Sequence, residues 1–296
     1  MNKIYQYDVS VIIVNYNSTK YVMDCLNSIF AQCKGCTYEI IVIDNASPDR
    51  GIEIIKQNFD NHKIIYIESL TNKGFGGACN LGLEKANGKY IFFLNPDTIL
   101  LNDALSIFVT FAEQKKCKEI ALGCCLLDGN KNPTNSYSSF LTPWNIIRRS
   151  LGLGKRLNQE IQLQPFEVDF ITGADLFVPT AVIDKVGGFD ETFFMYCEDV
   201  DIQKRMKEFG VKRLIIPGPQ IIHFDGGSYT KKNLRSARRR REYDKGKIIY
   251  IKKHYNIITY LLFRILFFFI RIPAYINPHY RFIDNIKYAT MLLSKI

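Results

Sequence analysis

Residues 92–99 read FFLNPDTI: an apolar run stops at Asn95-Pro96-Asp97, so a strand-breaking proline stands beside a carboxylate. Proline fixes φ and withdraws a backbone donor, which ends a strand there. A carboxylate held in such a turn can ligate a hard divalent cation, and that cation is most useful beside phosphates. The same residues also make a plain turn and helix cap. Further along, Asp190, Glu191, Glu198, Asp199 and Asp201 gather within and after an aromatic-rich loop containing Phe193, Phe194 and Tyr196. A carboxylate at a helix start, partly shielded by aromatics, suits a general base for a hydroxyl. Equally, it suits a helix N-terminus carrying favourable negative charge. His223 follows a β-like run and precedes Gly-Gly in IIHFDGGSY. That placement fits a structural ring or a metal ligand near a phosphate-gripping loop. Asn72-Lys73-Gly74-Phe75-Gly76-Gly77 is glycine-rich and opens a helix, a candidate anion cradle that lacks the full Walker pattern.

The elements that must position these groups follow from the apolar pattern. Val9–Tyr16, Glu39–Asp44, Lys63–Glu68 and Lys89–Leu94 are short apolar runs rich in β-branched residues, as expected for strands buried on both faces. Between them lie helical stretches from about Ser18 to Ala31, from a Ser47 cap with Pro48 in the first turn, and from the glycine cluster to Gly88. Strands alternating with helices at this spacing imply right-handed βαβ units and a mostly parallel sheet. Ligands bind such sheets beyond the carboxyl ends of the strands, where Asn15 to Asn17, Asp44 and Asp97 should converge. A helix is expected from Ile99 to about Lys116, then a strand in EIALGCCLLD. Residues from about Gly129 to Gln164 read as a flexible region over the active face. A helix from Asp199 to Gly210 and a final short strand in KRLIIPG complete the pattern.

The 296-residue chain is 47% hydrophobic and 23% charged, which describes a globular protein and excludes a disordered one. Its N-terminal MNKIYQYDVSVIIVNYN has no apolar segment ending in a small-residue cleavage site. The scattered cysteines, mostly in apolar runs, favour reduced thiols, so a cytoplasmic location is expected. Cys33 and Cys36 have CxxC spacing with no second pair or histidine nearby to complete a zinc site. The net charge of +10 is uneven. Between Lys231 and His254 eleven Lys/Arg stand against two acids and supply +9; beyond it five basic residues against Asp284 give +4, leaving residues 1–230 at about −3. The tail, then, is the part expected to meet an anionic surface.

Read in order, VSVIIVNYN, EIIVIDNASPD, NKGFGGACNLGLEKANGKYIFFLNPD, ITGADLFVPTAVIDKVGGFDETFFMYCEDVDI and IIHFDGGS resemble glycosyltransferase family 2, and its bacterial rhamnosyltransferase-like branch in particular, over about residues 8 to 255. The resemblance implies a GT-A fold (α/β, Rossmann-like, with a mostly parallel central sheet flanked by helices) over residues 1–230, followed by a basic helical extension at 231–296. It implies an inverting, metal-dependent transfer from a nucleotide sugar, with Mg²⁺ or Mn²⁺. By position, Val14 and Tyr16 would line the base pocket, and Asp44 would accept from the ring N–H of the base. Asn72, Lys73 and Gly74 would lie beside the nucleotide. Asp97 would be the surviving carboxylate of the family's Asp-x-Asp metal motif, and His223 a further metal or diphosphate contact. Asp199, beside Glu198, would be the catalytic base. Asn95 replaces the first aspartate and leaves one fewer charge for the metal.

The best-fitting donor is dTDP-L-rhamnose, with a UDP-hexose as the alternative, and the acceptor a saccharide or polyprenyl-linked hydroxyl in cell-surface polysaccharide synthesis. A non-catalytic membrane- or nucleic-acid-binding protein on a degenerate scaffold is the further alternative. Ile257 to Ile270, interrupted by Arg264 and stopped at Pro273, is short for a span. It fits an interfacial helix on anionic lipid, with flanking arginines at the headgroups. Packing on the catalytic domain, or on a second subunit in a homodimer, is the other reading. No nucleic-acid-binding module accompanies the arginine run.

Overall fold

The computed structural model describes residues 4–114, 119–154, 159–224 and 237–294. Its strands are β1 (Tyr7–Asn15), β2 (Tyr38–Asp44), β3 (Ile64–Glu68), β4 (Gly88–Leu94), β5 (Thr98–Leu100), β6 (Ile120–Cys124), β7 (Tyr137–Ser138), β8 (Phe166–Glu167), β9 (Phe170–Ile171), β10 (Asp175–Pro179), β11 (Lys212–Ile216) and β12 (Ile221–His223). Its helices are α1 (Thr19–Gln32), α2 (Gly51–Asn58), α3 (Gly74–Leu83), α4 (Ala104–Gln114), α5 (Pro143–Ser150), α6 (Thr180–Val186), α7 (Glu198–Glu208), α8 (Ala237–His254), α9 (Ile257–Ile270), α10 (Ile272–Tyr275) and α11 (Phe282–Leu293).

Eight strands form one sheet in the order β3-β2-β1-β4-β10-β6-β11-β8. The pairs β1–β2, β2–β3, β1–β4 and β6–β11 are parallel, as the βαβ pattern requires. β10 runs antiparallel between β4 and β6, and β8 closes the edge antiparallel to β11. Side chains of β1 alternate between two cores. Val9, Val11 and Ile13 meet Val22, Leu26 and Ile29 of α1 on one face, and Ile12 and Val14 meet Ala78 and Cys79 of α3 on the other.

Several expectations shift at the edges. Ser47 does not cap α2: that helix starts at Gly51 behind Arg50 in the left-handed region (φ 51°), with no side-chain cap. The chain passes so close to α1 that a Cβ on Gly51 would sit 1.6 Å from Thr19 Oγ1, and the helix begins only at that glycine. The Ser47 hydroxyl instead accepts from Asn17 N at 3.1 Å. The helix expected from Ile99 starts at Ala104, because Thr98–Leu100 first pair with Ile221–His223 as β5 and β12, a strand beyond the one expected to be last. Its far end near Lys116 lies outside the described residues. The region read as flexible contains α5, whose start is fixed by Thr142 Oγ1 accepting from Asn145 N and by Pro143 in the first turn.

The C-terminal helices share a third core with the rest of the chain. Ile248, Tyr250 and Ile251 of α8, Phe263 and Phe267 of α9 and Tyr288 of α11 pack with Ile146, Ile147, Phe193, Cys197 and Val200. Asp244, fully buried, accepts from Lys247 Nζ (2.8 Å), Tyr288 Oη (2.6 Å) and Arg271 Nε (3.0 Å), which ties the three helices together. The boundary expected at residue 230 falls outside the described residues.

At the sheet's centre, Phe177 of β10 stacks on Phe108 (5.2 Å between centroids) and Tyr90 (4.9 Å) with no exposure. Phe177→Ala should cost about 3–5 kcal/mol in urea unfolding, the usual cost of an aromatic cavity. A loss below about 1 kcal/mol would show that the layer collapses over the gap.

Candidate active site

The carboxyl ends of β1, β2 and β4 lie side by side, and asparagine amides lace them together. Asn15 Nδ2 donates to Asp44 Oδ1 (2.8 Å), and Ser47 N donates to Asp44 Oδ2 (3.1 Å). Both oxygens of the buried Asp44 are thus aimed by the protein before any ligand arrives. Asn45 carries this frame to the glycine-rich turn. Its Nδ2 donates to Asn72 Oδ1 (3.1 Å) and Gly74 O (3.0 Å), while Lys73 N donates to Asn45 Oδ1 (2.9 Å). Asn72 Oδ1 also accepts from Gly74 N (3.0 Å). Asn72, Lys73 and Gly74 are therefore joined through Asn45 to the strand end that carries Asp44. Tyr16 lies just beyond β1 and is half-buried, whereas the Val14 side chain is 7% exposed and belongs to the core on the α3 side.

Asn95, Pro96 and Asp97 form the turn between β4 and β5. Thr98 Oγ1 donates to Asn95 O (2.7 Å) and Asn95 N donates to Ala174 O (3.0 Å), so the turn is fixed on both flanks. β12 pairs His223 with Thr98, which places His223 Nε2 3.3 Å from Asp97 Oδ1 and 3.4 Å from Asn95 Nδ2. The three residues singled out around the proline turn are thus brought together. The Gly-Gly after His223 lies outside the described residues.

Asp199 stands on the other side of the same junction. Its Oδ2 accepts from Gly173 N at 3.1 Å, and Gly173 precedes the Ala174 that holds Asn95. Gln203, one turn along α7, clamps both backbone groups of Ile171, accepting from its N (2.8 Å) and donating to its O (2.6 Å). α7 is thereby pinned to β9 and to the turn that leads into β10. Burial raises the Asp199 carboxyl above the usual carboxylate range, against the pull of the Gly173 and Val200 amides. Its neighbour points elsewhere. Glu198 is turned toward α3, where its Cβ lies 3.5 Å from the Cβ position of Gly76, and its Oε2 has no hydrogen-bond partner. Burial, and then the Asp199 charge, push Glu198 up to about 8. A neutral acid at this place spares Asp199 a second negative charge.

The loop leading into α7 is squeezed against α3. Gly74 has φ +75°, and a Cβ there would lie 1.8 Å from Phe194 O, which accepts from Phe75 N at 3.2 Å. Tyr196 (φ 70°) and Cys197 (φ 72°) are consecutive left-handed residues directly before Glu198. Cys197 is buried and its thiol is pushed well up by burial, which suits packing rather than nucleophilic work. The cysteines of the CxxC pair also have burial-raised thiols, about 12 for Cys33 and about 11 for Cys36.

An eight-stranded, mostly parallel sheet with its polar turns gathered at one edge, and a carboxylate-bearing helix facing them, defines a glycosyltransferase of the GT-A fold. Comparisons with known proteins agree. The family profile for Glycosyl transferase family 2 matches residues 10–167. Rhamnosyltransferase WbbL of Escherichia coli K12 is 30% identical over 241 residues, 77% of this chain and 88% of that protein. The low-salt glycan biosynthesis hexosyltransferase Agl10 of Haloferax volcanii is 28% identical over 68% of this chain, and the match spans 62% of the relative. Among solved structures, GalNAc-T7 with UDP, GalNAc and Mn²⁺ superposes with a TM-score of 0.61 at 15% identity, covering 100% of this chain and 55% of that one. The mannosyltransferase PcManGT of Pyrobaculum calidifontis, in complex with GDP-Man and Mn²⁺, gives 0.59 at 14% identity, covering 98% and 74%. The chain belongs to glycosyltransferase family 2.

Glu198 gives a test of this geometry. Its burial as a neutral acid costs nothing below about pH 4.5, where folded and unfolded chains are both protonated; the cost grows as pH rises toward the folded value of about 8. Glu198→Gln removes that cost, so its melting temperature should gain on the wild type between about pH 5 and pH 9. A gap that stays constant across this range would mean that Glu198 is solvated.

Proposed function

We propose that the enzyme is an inverting, metal-assisted transferase that moves L-rhamnose from dTDP-L-rhamnose to a hydroxyl of a saccharide or polyprenyl-linked acceptor. The observation that carries this reading is the shared junction at Gly173-Ala174: one side holds the Asn95–Asp97 turn with His223, the other holds Asp199. The likeness to a rhamnosyltransferase over most of the chain favours rhamnose; the Haloferax hexosyltransferase keeps a UDP-hexose donor as the alternative.

In this reading Asp44, Asn72, Lys73 and Gly74 hold the nucleotide, with Tyr16 beside its base. Asp97 and His223 would hold a divalent cation. A carboxylate and an imidazole with room for phosphate oxygens and water are a donor set that suits Mn²⁺ or Mg²⁺. Bound there, the cation would offset charge on the departing diphosphate. Asn95, aimed at the same imidazole nitrogen, would orient the His223 ring in place of a second carboxylate. Asp199 takes the proton of the acceptor hydroxyl while that oxygen forms its bond to the anomeric carbon and the bond to the diphosphate oxygen breaks. Its raised affinity for protons suits that role. Asp199→Asn should lower turnover by at least about 10³-fold while leaving nucleotide binding, measured by calorimetry, nearly unchanged. Near wild-type turnover would refute the base assignment.

The proposed site of action is the cytoplasmic face of the cell membrane, with the extension lying on anionic lipid. No helix among the described residues is long and apolar enough to cross a membrane. α9 instead has two apolar faces. Tyr260, Phe263 and Phe267 enter the core, while Ile258, Leu261, Leu262, Ile265, Leu266 and Phe269 are all more than half exposed. A stripe of that size, free of charge, fits the interfacial layer of a bilayer better than water. Two arginines of the extension are taken up within the fold. Arg264 folds back to donate to Tyr260 Oη and Ser294 O, each at 3.0 Å, and Arg240 donates to Ala274 O (2.7 Å) and Asn285 Oδ1 (3.0 Å). Lys252, Arg281 and Lys287 are exposed, with Arg281 in an ion pair with Asp284 (2.9 Å). Replacing Leu262 and Ile265 together with Glu should abolish pelleting with anionic liposomes and leave transfer to a soluble acceptor intact. Equal pelleting of both proteins would refute the docking, and a change only in oligomeric state would show that a second copy covers the stripe.

A further inference from the structure

α8 runs the length of the loop that leads to Glu198-Asp199 and touches it at each step. Arg238 lies over the Phe194 ring (5.1 Å) and Arg239 over the Tyr196 ring (5.8 Å), which also meets Tyr243 edge-on at 5.5 Å. At Gly246 the helix comes so close that a Cβ would sit 2.6 Å from Tyr196 O and 3.2 Å from Cys197 Sγ. At its last turn, Lys253 Nζ donates to Asp190 Oδ2 (2.5 Å) and to Asp201 (2.9 Å to Oδ1). His254 Nε2 lies 2.8 Å from the same Asp201 oxygen. Asp190 opens the loop and Asp201 sits in the first turn of α7, so one ammonium spans both ends of the segment that carries Asp199.

Asp201 has no exposure and takes a third partner, Arg205 Nε at 3.0 Å. Two cations, Lys253 and Arg205, and the His254 ring around one buried carboxylate form a joint that is strong only when complete, because each cation removed leaves charge less compensated in a dry place. Burial works to raise Asp190, but the Lys253 ammonium and two Thr192 donors outweigh it and hold that carboxyl at about 2. On its opposite side the loop meets α3, at Gly74 and Phe75 and where Asn80 Nδ2 donates to Glu191 Oε1 (3.1 Å). Two consecutive non-glycine residues in the left-handed region are strained, and they persist only where surroundings on both sides over-determine them.

We propose that α8 is a positioning element of the active site, with Lys253 and Gly246 holding the strained Tyr196-Cys197 pair so that Asp199 faces the acceptor hydroxyl. The proposal rests on Asp199 being the base. Neither residue touches substrate; both act through the loop. Among the described residues no hydrogen bond or ion pair joins the proposed nucleotide frame at Asn15, Asp44 and Asn45 to α8, so the two functions can be separated in kinetics.

The test uses the full chain with Lys253→Met, Lys253→Arg and Gly246→Ala, compared at a temperature where all are folded by circular dichroism. Lys253→Met and Gly246→Ala should each lower kcat about 10-fold to 100-fold, the size expected for a misplaced catalytic group, with donor KM within about twofold of wild type. Lys253→Arg, which keeps the charge and the reach, should recover most of the rate. Wild-type kcat in folded Lys253→Met and Gly246→Ala, while Asp199→Asn is inactive, would overturn the proposal. So would parallel losses of kcat and donor affinity that track the folded fraction. An active Asp199→Asn enzyme would overturn the base assignment and the proposal with it.

Discussion

The backbone hydrogen bond from Asn95 N to Ala174 O is the joint on which the site depends. It ties the end of a parallel strand to the start of the antiparallel strand beside it, at the first of the places where the sheet changes direction. Everything on the β4 side, the proline turn and its histidine, is then indexed to everything on the β10 side, Gly173 and the helix that carries Asp199. A polar group leaving either strand one residue earlier would point to the opposite face, because strand side chains alternate. Register in the core is therefore also register in the chemistry.

The first half of the fold was legible because periodic apolar runs dominate it: β1, β2, β3 and β4 fall within a residue or two of their expected bounds. The polar groups at their carboxyl ends converge as the parallel pattern requires. Short pairings were not legible. Thr98–Leu100 becomes a strand only because Ile221–His223 lies against it, a partner 121 residues distant even in the closest pair, Leu100 with Ile221, and no local pattern encodes so distant a choice. Ser47 was misread for a related reason. Its hydroxyl had a nearer helix to cap, but the clash of any side chain at Gly51 with Thr19 moved the helix start away.

Within the site, Asp44, Asp97, Asp199 and His223 could be picked out by type and by position at strand or helix ends. Asn45, Gln203 and Gly173 could not, since each acts through a hydrogen bond to backbone far along the chain. Asn45 follows Asp44 directly, and that adjacency is the only local sign that it belongs to the frame. The arginine run misled in an instructive way. Charge suggested an outward-facing patch, yet Arg240 lies 4.1 Å from the ring centroids of both Tyr280 and Tyr288, and Arg238 and Arg239 cover the loop aromatics. Arginine buries well on aromatic faces because its guanidinium is planar and weakly hydrated. Composition alone cannot separate that use from a solvated one.

The order of parts along the chain has a consequence for biogenesis. The sheet, the asparagine-laced frame around Asp44 and the helix that carries Asp199 are all translated before α8, and domains begin to fold as they emerge from the ribosome. A nascent chain that has reached β12 carries every strand of the sheet, but its aromatic loop still lacks the helix that lies against it. That loop gains its second support only when α8 has been made, shortly before the segment bearing the exposed α9 stripe.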